Sequence, residues 1–162
     1  MEFRPTAVAS RRIQSELKEW SKHPPEGCRL LQCEPINQWI IEMQGPEESP
    51  APVALYRGEV FHLRVTFSDR YPLDPPEVIF LDPPPVHPHI YSNGHICLDI
   101  LYAGQNGGWS PALTISKVVL SLRSMLASND EKVRPAGDAM YCARTRGRSP
   151  KETRWQFDDD RI

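Results

Sequence analysis

"HPHIYSNGHICLDIL", residues 87–101, gathers three of the chain's five histidines and one of its four cysteines. Three chemistries compete for it. Cys97 is a candidate nucleophile, because thiolates attack carbonyls and thioesters and nearby cations or donors raise the thiolate fraction. His87, His89 and His95 lie close enough in sequence to help. The same three histidines with Cys97 are the right ligand types for zinc. Their spacing, H-x-H-x5-H-x-C, is not a standard one, and Pro88 stiffens the path. In the third reading Cys97 is a small buried apolar residue and Asn93-Gly94 is a turn. Spacing alone leaves the three open.

The flanks are more decisive. Upstream, residues 8–22 carry Ile13, Leu17 and Trp20 at i, i+4 and i+7, which predicts a helix stopped by His23-Pro24-Pro25. "INQWIIEMQGP" predicts a strand ended by Gly45-Pro46. "EVFHLRVTFSD" alternates Phe61, Leu63, Val65 and Phe67 with His62, Arg64 and Thr66, the pattern of a half-buried antiparallel strand. "EVIFL" is a further short strand, so the helix leads into a meander of three or four strands. Downstream, "YAGQNGG" is a polar loop. In "WSPALTISKVVLSLRSMLASND", residues Ile115, Val118, Val119, Leu122, Met125 and Leu126 share one stripe of a helix. Pro111 stands just ahead of that helix and Pro135 is its expected stop.

With 162 residues, 40% apolar and 25% charged, the chain is most simply one domain with a sizeable core. A net charge of −2 and a pI near 6.2 argue against nucleic acid as the main partner. No membrane span or signal peptide is expected, and the anticipated location is the cytoplasm or nucleus. There Cys28, Cys33, Cys97 and Cys142, which form no C-x-x-C pair, are expected as reduced thiols. The seventeen prolines cluster between apolar, strand-like segments, so they punctuate a fold and do not mark disorder. Residues 136–162 are polar and weakly periodic, which predicts a variable, partly mobile tail in which Tyr141, Trp155 and Phe157 pack back on the core.

Taken together, "RRIQSEL", "RYPLDPPEV", "HPHIYSNGHICLDIL" and "WSPALTISKVVLSL" resemble the ubiquitin-conjugating enzymes, over roughly residues 8–135. The resemblance implies an α+β fold: an N-terminal helix, a four-stranded antiparallel meander, the Cys97 segment, a C-terminal helix and a variable tail. It implies that Cys97 carries ubiquitin as a thioester received from an activating enzyme. No bound cofactor is needed, because ATP is used by that separate enzyme. Asp99 matches a family position flanking the incoming amine. Arg11, Arg12, Leu73, Ser110, Pro111 and Ala112 match positions that relatives present to RING or U-box ligases.

The departures are as informative. The family's His-Pro-Asn becomes His87-Pro88-His89, with Cys97 eight residues beyond His89. A neutral imidazole offers one N–H, so His89 is expected to brace the loop, to contact the oxyanion or to fill the space. Val86 stands where many relatives have Tyr. The family's acidic gate falls near Val133, with Asp130 and Glu131 beside it. Val-His-Pro-His, "YSNGHICL" and the tail "RWQFDDD" are most similar to the W-type branch, which implies transfer to the α-amino group of flexible protein N-termini. Asp99 is instead the residue type of lysine-directed relatives. Conjugation of another ubiquitin-like modifier and a non-catalytic ubiquitin-binding relative are the remaining alternatives.

Overall fold

The computed structural model describes residues 2–157. Its order is α1 (Ala7–Lys22), β1 (Cys28–Gln32), β2 (Gln38–Gln44), β3 (Val60–Thr66), β4 (Glu77–Phe80), α2 (Ile115–Ala127) and α3 (Asp138–Arg144). The four strands form one antiparallel sheet in sequential order, the meander expected from the resemblance. In β3, Phe61, Leu63 and Val65 are buried, with Phe67 just beyond the strand, as the alternation predicts. They form one continuous core with Ile13 and Trp20 of α1 and Ile115, Val118, Val119, Leu122 and Leu126 of α2.

Thr6 opens α1 by accepting from Ala9 N at 3.0 Å, and Thr114 opens α2 by accepting from Lys117 N at 3.2 Å. α2 ends at Ala127, well before Pro135. The side chain of Asn129 takes over there, donating to Glu131 O and accepting from Glu131 N, so the stop is a polar turn and not the proline. β1 carries no sequence signal: of its five residues only Cys28 is buried, and a bulge between Leu30 and Gln32 breaks its register.

Helical periodicity is weak in the tail, yet residues 136–157 include α3 and a 3-10 turn, Pro150–Glu152. α3 is seven residues long and buries only Tyr141 among them, too little for a periodic stripe. The end of "RWQFDDD", Asp158 to Asp160, lies outside the described residues. Among the described residues, no helix is long and apolar enough to cross a membrane.

Candidate active site

The Cys97 segment is a tight hairpin-like turn laid along β4. Tyr91 N donates to His95 O at 2.9 Å, Gly94 N to Tyr91 O at 2.9 Å, and Cys97 N to His89 O at 2.8 Å. Gly94 has φ +88°, and a Cβ there would stand 2.0 Å from the Phe80 carbonyl. The turn predicted at Asn93-Gly94 therefore needs its glycine. Gly94 O in turn accepts from Phe80 N at 3.0 Å, which fixes the segment to the sheet.

Prolines strip this region of donors but leave its carbonyls, and one side chain collects them. Arg134 donates to Pro84 O at 3.0 Å, Pro85 O at 2.6 Å and Ile90 O at 3.1 Å. In sequence Arg134 is one more tail charge; only the fold shows that it clamps the approach to Cys97.

His87 is buried and both ring nitrogens are used. Nδ1 accepts from His89 N at 2.9 Å, which leaves Nε2–H to donate to Met125 O at 3.3 Å. Burial, with His89 beside it, pushes its pKa down to about 4, so the ring is neutral near pH 7. Tyr56 stacks on it, donates to Val86 O at 2.6 Å and accepts from Asn129 Nδ2 at 2.7 Å. The His89 backbone is thus tied to the His87 ring on one side and to the Cys97 amide on the other.

Cys97 is half-buried in a cleft of about 930 Å³. His89, Tyr91, Leu98 and Ile100 line it from the segment, Leu120 to Asn129 from the α2 side, and Gln156 and Phe157 from the tail. Asp130 lines it too and is the one carboxylate among the described residues that do; Glu131 and Val133 do not. Asp99 is also outside this lining. Its Oδ1 accepts from Ile100 N at 2.8 Å, and its Oδ2 lies 3.1 Å from where a Gly108 Cβ would stand, so it faces the Gly-rich loop.

Tyr141, Trp155 and Phe157 do pack back. Trp155 stacks near Tyr102, Tyr91 and Tyr141, and Phe157 covers Tyr102. Tyr141 OH bridges His95 Nδ1 at 2.8 Å and Thr153 Oγ1 at 2.9 Å. Burial lowers the pKa of His95 as well. With these nitrogens engaged, no group of three His, Cys, Asp or Glu among the described residues is arranged to hold a metal ion. Burial pushes the Cys28 thiol up to about 11 and raises that of Cys142 also, so neither is an effective thiolate near neutral pH.

At the far end, Arg12 donates to Pro111 O at 2.6 Å and Leu113 O at 2.8 Å, while Trp109 Nε1 donates to Pro72 O at 2.9 Å. These bonds bring Arg12, Leu73, Ser110, Pro111 and Ala112 into one neighbourhood, with Leu73 62% exposed. Arg11 is exposed on α1, whereas the Arg12 guanidinium is committed to the loop. Beneath it, the buried Glu16 carboxylate accepts from Arg12 Nε at 3.0 Å, Ile115 N at 2.7 Å and Tyr71 OH. Sequence reading missed Glu16, since a glutamate in an amphipathic helix ordinarily faces water.

A family model described as ubiquitin-conjugating enzyme matches residues 12–157. The Arabidopsis thaliana "Probable ubiquitin-conjugating enzyme E2 16" is 48% identical, over 96% of this chain and 91% of that protein. The Dictyostelium discoideum "Probable ubiquitin-conjugating enzyme E2 W" is 47% identical, over 97% and 99%. Among solved structures, ubiquitin conjugating enzyme E2 UbcA1 from Agrocybe aegerita superposes with a TM-score of 0.78 at 38% identity, covering 90% of this chain and all of that one.

Proposed function

This chain belongs to the ubiquitin-conjugating enzyme family, and on that premise we propose that Cys97 carries ubiquitin and delivers it to protein α-amino groups. The Cys97 thiolate attacks the ubiquitin thioester of an activating enzyme and displaces that enzyme's thiolate. An acceptor amine then attacks the new thioester, Cys97 leaves as thiolate, and the amine gives up its proton. In this scheme ATP is consumed by the activating enzyme and no cofactor resides in the chain. The family's partners follow: ubiquitin, the activating enzyme and RING or U-box ligases. The Arg12–Pro111 corner with Leu73 is the surface we assign to the ligases, and the cytoplasm or nucleus is the location we assign to the chain.

The observation that carries the α-amine reading is how few carboxylates the described residues place around Cys97. The Asp99 carboxylate faces Gly108, Asp130 is the one carboxylate in the described lining, and the imidazoles there are His87, held neutral in the wall, and His89. With little help in deprotonation, the acceptor's own free-base fraction governs the rate. An α-amine has a pKa near ~8 and lysine near ~10.4, so near neutral pH the α-amine is a few hundred-fold richer in free base. Similarity to a relative named E2 W supports the same reading.

The test charges the protein with ubiquitin and offers free lysine beside a flexible, lysine-free peptide. Discharge onto the peptide should be far faster, N-terminal acetylation should stop it, and raising the pH should narrow the gap. Fast discharge onto lysine, indifferent to acetylation, would make the enzyme lysine-directed. Cys97→Ser should abolish the thiol-labile adduct altogether.

A further inference from the structure

Arg146-Gly147-Arg148-Ser149-Pro150-Lys151 belongs neither to the Cys97 cleft nor to the Arg12 corner. Ser149 stands where two surface clefts meet: Arg144, Arg148 and Arg154 line one, and Arg146 and Arg148 line the other, where Arg64 is paired with Glu77 at 3.8 Å. Glu152 is the only acid from 144 to 154, against Arg144, Arg146, Arg148, Lys151 and Arg154, in a chain whose net charge is −2. An arginine wall around a surface hydroxyl is a receptor for a phosphate on that hydroxyl.

We propose that Ser149 is a phosphorylation site whose phosphate is held by Arg144, Arg148 and Arg154, and that its modification re-seats the tail walling the Cys97 cleft. The backbone suits a kinase that selects proline after the acceptor: Ser149 is extended, with φ −74° and ψ 143°, and Pro150 presents no amide N–H. Ser149 Oγ attacks the γ-phosphorus of ATP, the hydroxyl proton passes to the kinase's base, and ADP leaves. The product carries roughly −1.5 to −2 charge and three acceptor oxygens.

That charge falls on a local arrangement it must alter. In the unmodified chain the Ser149 side chain accepts from Lys151 N at 3.2 Å, and the Glu152 carboxylate accepts from Ser149 N at 3.0 Å. A phosphate repels that carboxylate and draws in the guanidinium groups. Arg144 lies over the Tyr141 ring at 5.7 Å, and Tyr141 holds Thr153 and packs against Trp155. Gln156 and Phe157, which line the Cys97 cleft, follow directly. The change therefore passes from Ser149 to the cleft wall through a continuous chain of contacts.

The test uses the full chain with phosphoserine incorporated at position 149 and follows the phosphate by phosphorus NMR titration. Its second ionisation lies near ~6 in a short peptide of residues 146–152 and should fall by about one unit in the folded chain. Arg144→Gln, Arg148→Gln and Arg154→Gln together should return it to the peptide value. A proline-directed serine kinase with ATP should modify the unmodified chain at Ser149, and Ser149→Ala should remove that site. Alkylation of Cys97 by iodoacetamide should become about threefold faster in the phosphorylated chain as the wall loosens. A phosphate that titrates as in the peptide, or a kinase that modifies the peptide but not the folded chain, overturns the site. Unchanged Cys97 alkylation overturns its link to the cleft. None of these readouts uses ubiquitin, so they stand apart from the transfer reaction.

Discussion

At the α1 end, a buried carboxylate organises the structure: Glu16 accepts from Arg12, Tyr71 and Ile115 N. At the Cys97 end the buried groups are the His87 imidazole, the Tyr56 hydroxyl and the Asn129 amide, all neutral near pH 7. The charged network joins two helices and seats the loop of Ser110 to Ala112. The neutral one holds the backbone that carries Cys97. Charge is present near Cys97 too, since the half-buried Arg134 guanidinium holds the carbonyls of Pro84, Pro85 and Ile90. The difference lies in the buried groups, a carboxylate at the α1 end and neutral dipoles behind the Cys97 segment.

The largest stability effect should come from cutting the charged end. Glu16→Ala leaves the Ile115 amide, the Tyr71 hydroxyl and part of Arg12 without their acceptor. Losing a buried charged acceptor costs about 3 kcal/mol. Urea unfolding should show that loss, with Glu16→Gln intermediate because it retains an acceptor oxygen. A cost under about 1 kcal/mol would mean that the carboxylate does not organise this end.

The neutral end should show itself through pH. The folded His87 stays neutral down to about 4, while an unfolded imidazole protonates near ~6.5. Between those values the unfolded state binds the extra proton, so stability is complete above about pH 6.5 and falls as pH drops through the window. Between pH 7 and 5 the loss should be about 2 kcal/mol, with His95, lowered in the same direction, adding to it. Denaturation midpoints across that range check this, and His87→Asn should flatten the dependence. A flat profile in the unmodified chain would remove the contrast between the two ends.

The two networks also mark where sequence reading stops. β3 and α2 are legible because each buries one face of a regular element, and period 2 or 3.6 survives in the letters. Cys97 is legible only through neighbouring motifs, since a cysteine among histidines fits three chemistries. Glu16 and Arg134 are illegible because both are charged residues whose partners lie far away in sequence: Ile115 for Glu16, and Pro84 and Pro85 for Arg134. Nothing local announces that such a residue turns inward. Asp99 illustrates the converse. Its position by motif is clear, but a hydrogen bond to the next amide and the close pass of Gly108 set where its carboxylate points.

The smallest effect separates the tail from both networks. Trp155 has ring centroids of Tyr102 at 5.2 Å, Tyr141 at 5.7 Å and Tyr91 at 6.0 Å, and its Nε1 donates to Pro150 O at 2.9 Å. It is only partly buried, so much of its area is already wet, and aromatic pairs add about 0.5–1.5 kcal/mol each at most. Trp155→Ala should therefore cost about 1.5 kcal/mol, a shift in Tm of about 4 °C for a domain of this size. Trp155→Phe should keep most of the stacking and lose the bond to Pro150. The core does not need this side chain, so charging by the activating enzyme should persist in both variants. Discharge to a peptide α-amine should change in the alanine variant, because Trp155 anchors the Gln156 and Phe157 that line the Cys97 cleft. A drop in Tm as large as that of Glu16→Ala would make the tail part of the core and not a wall laid against it.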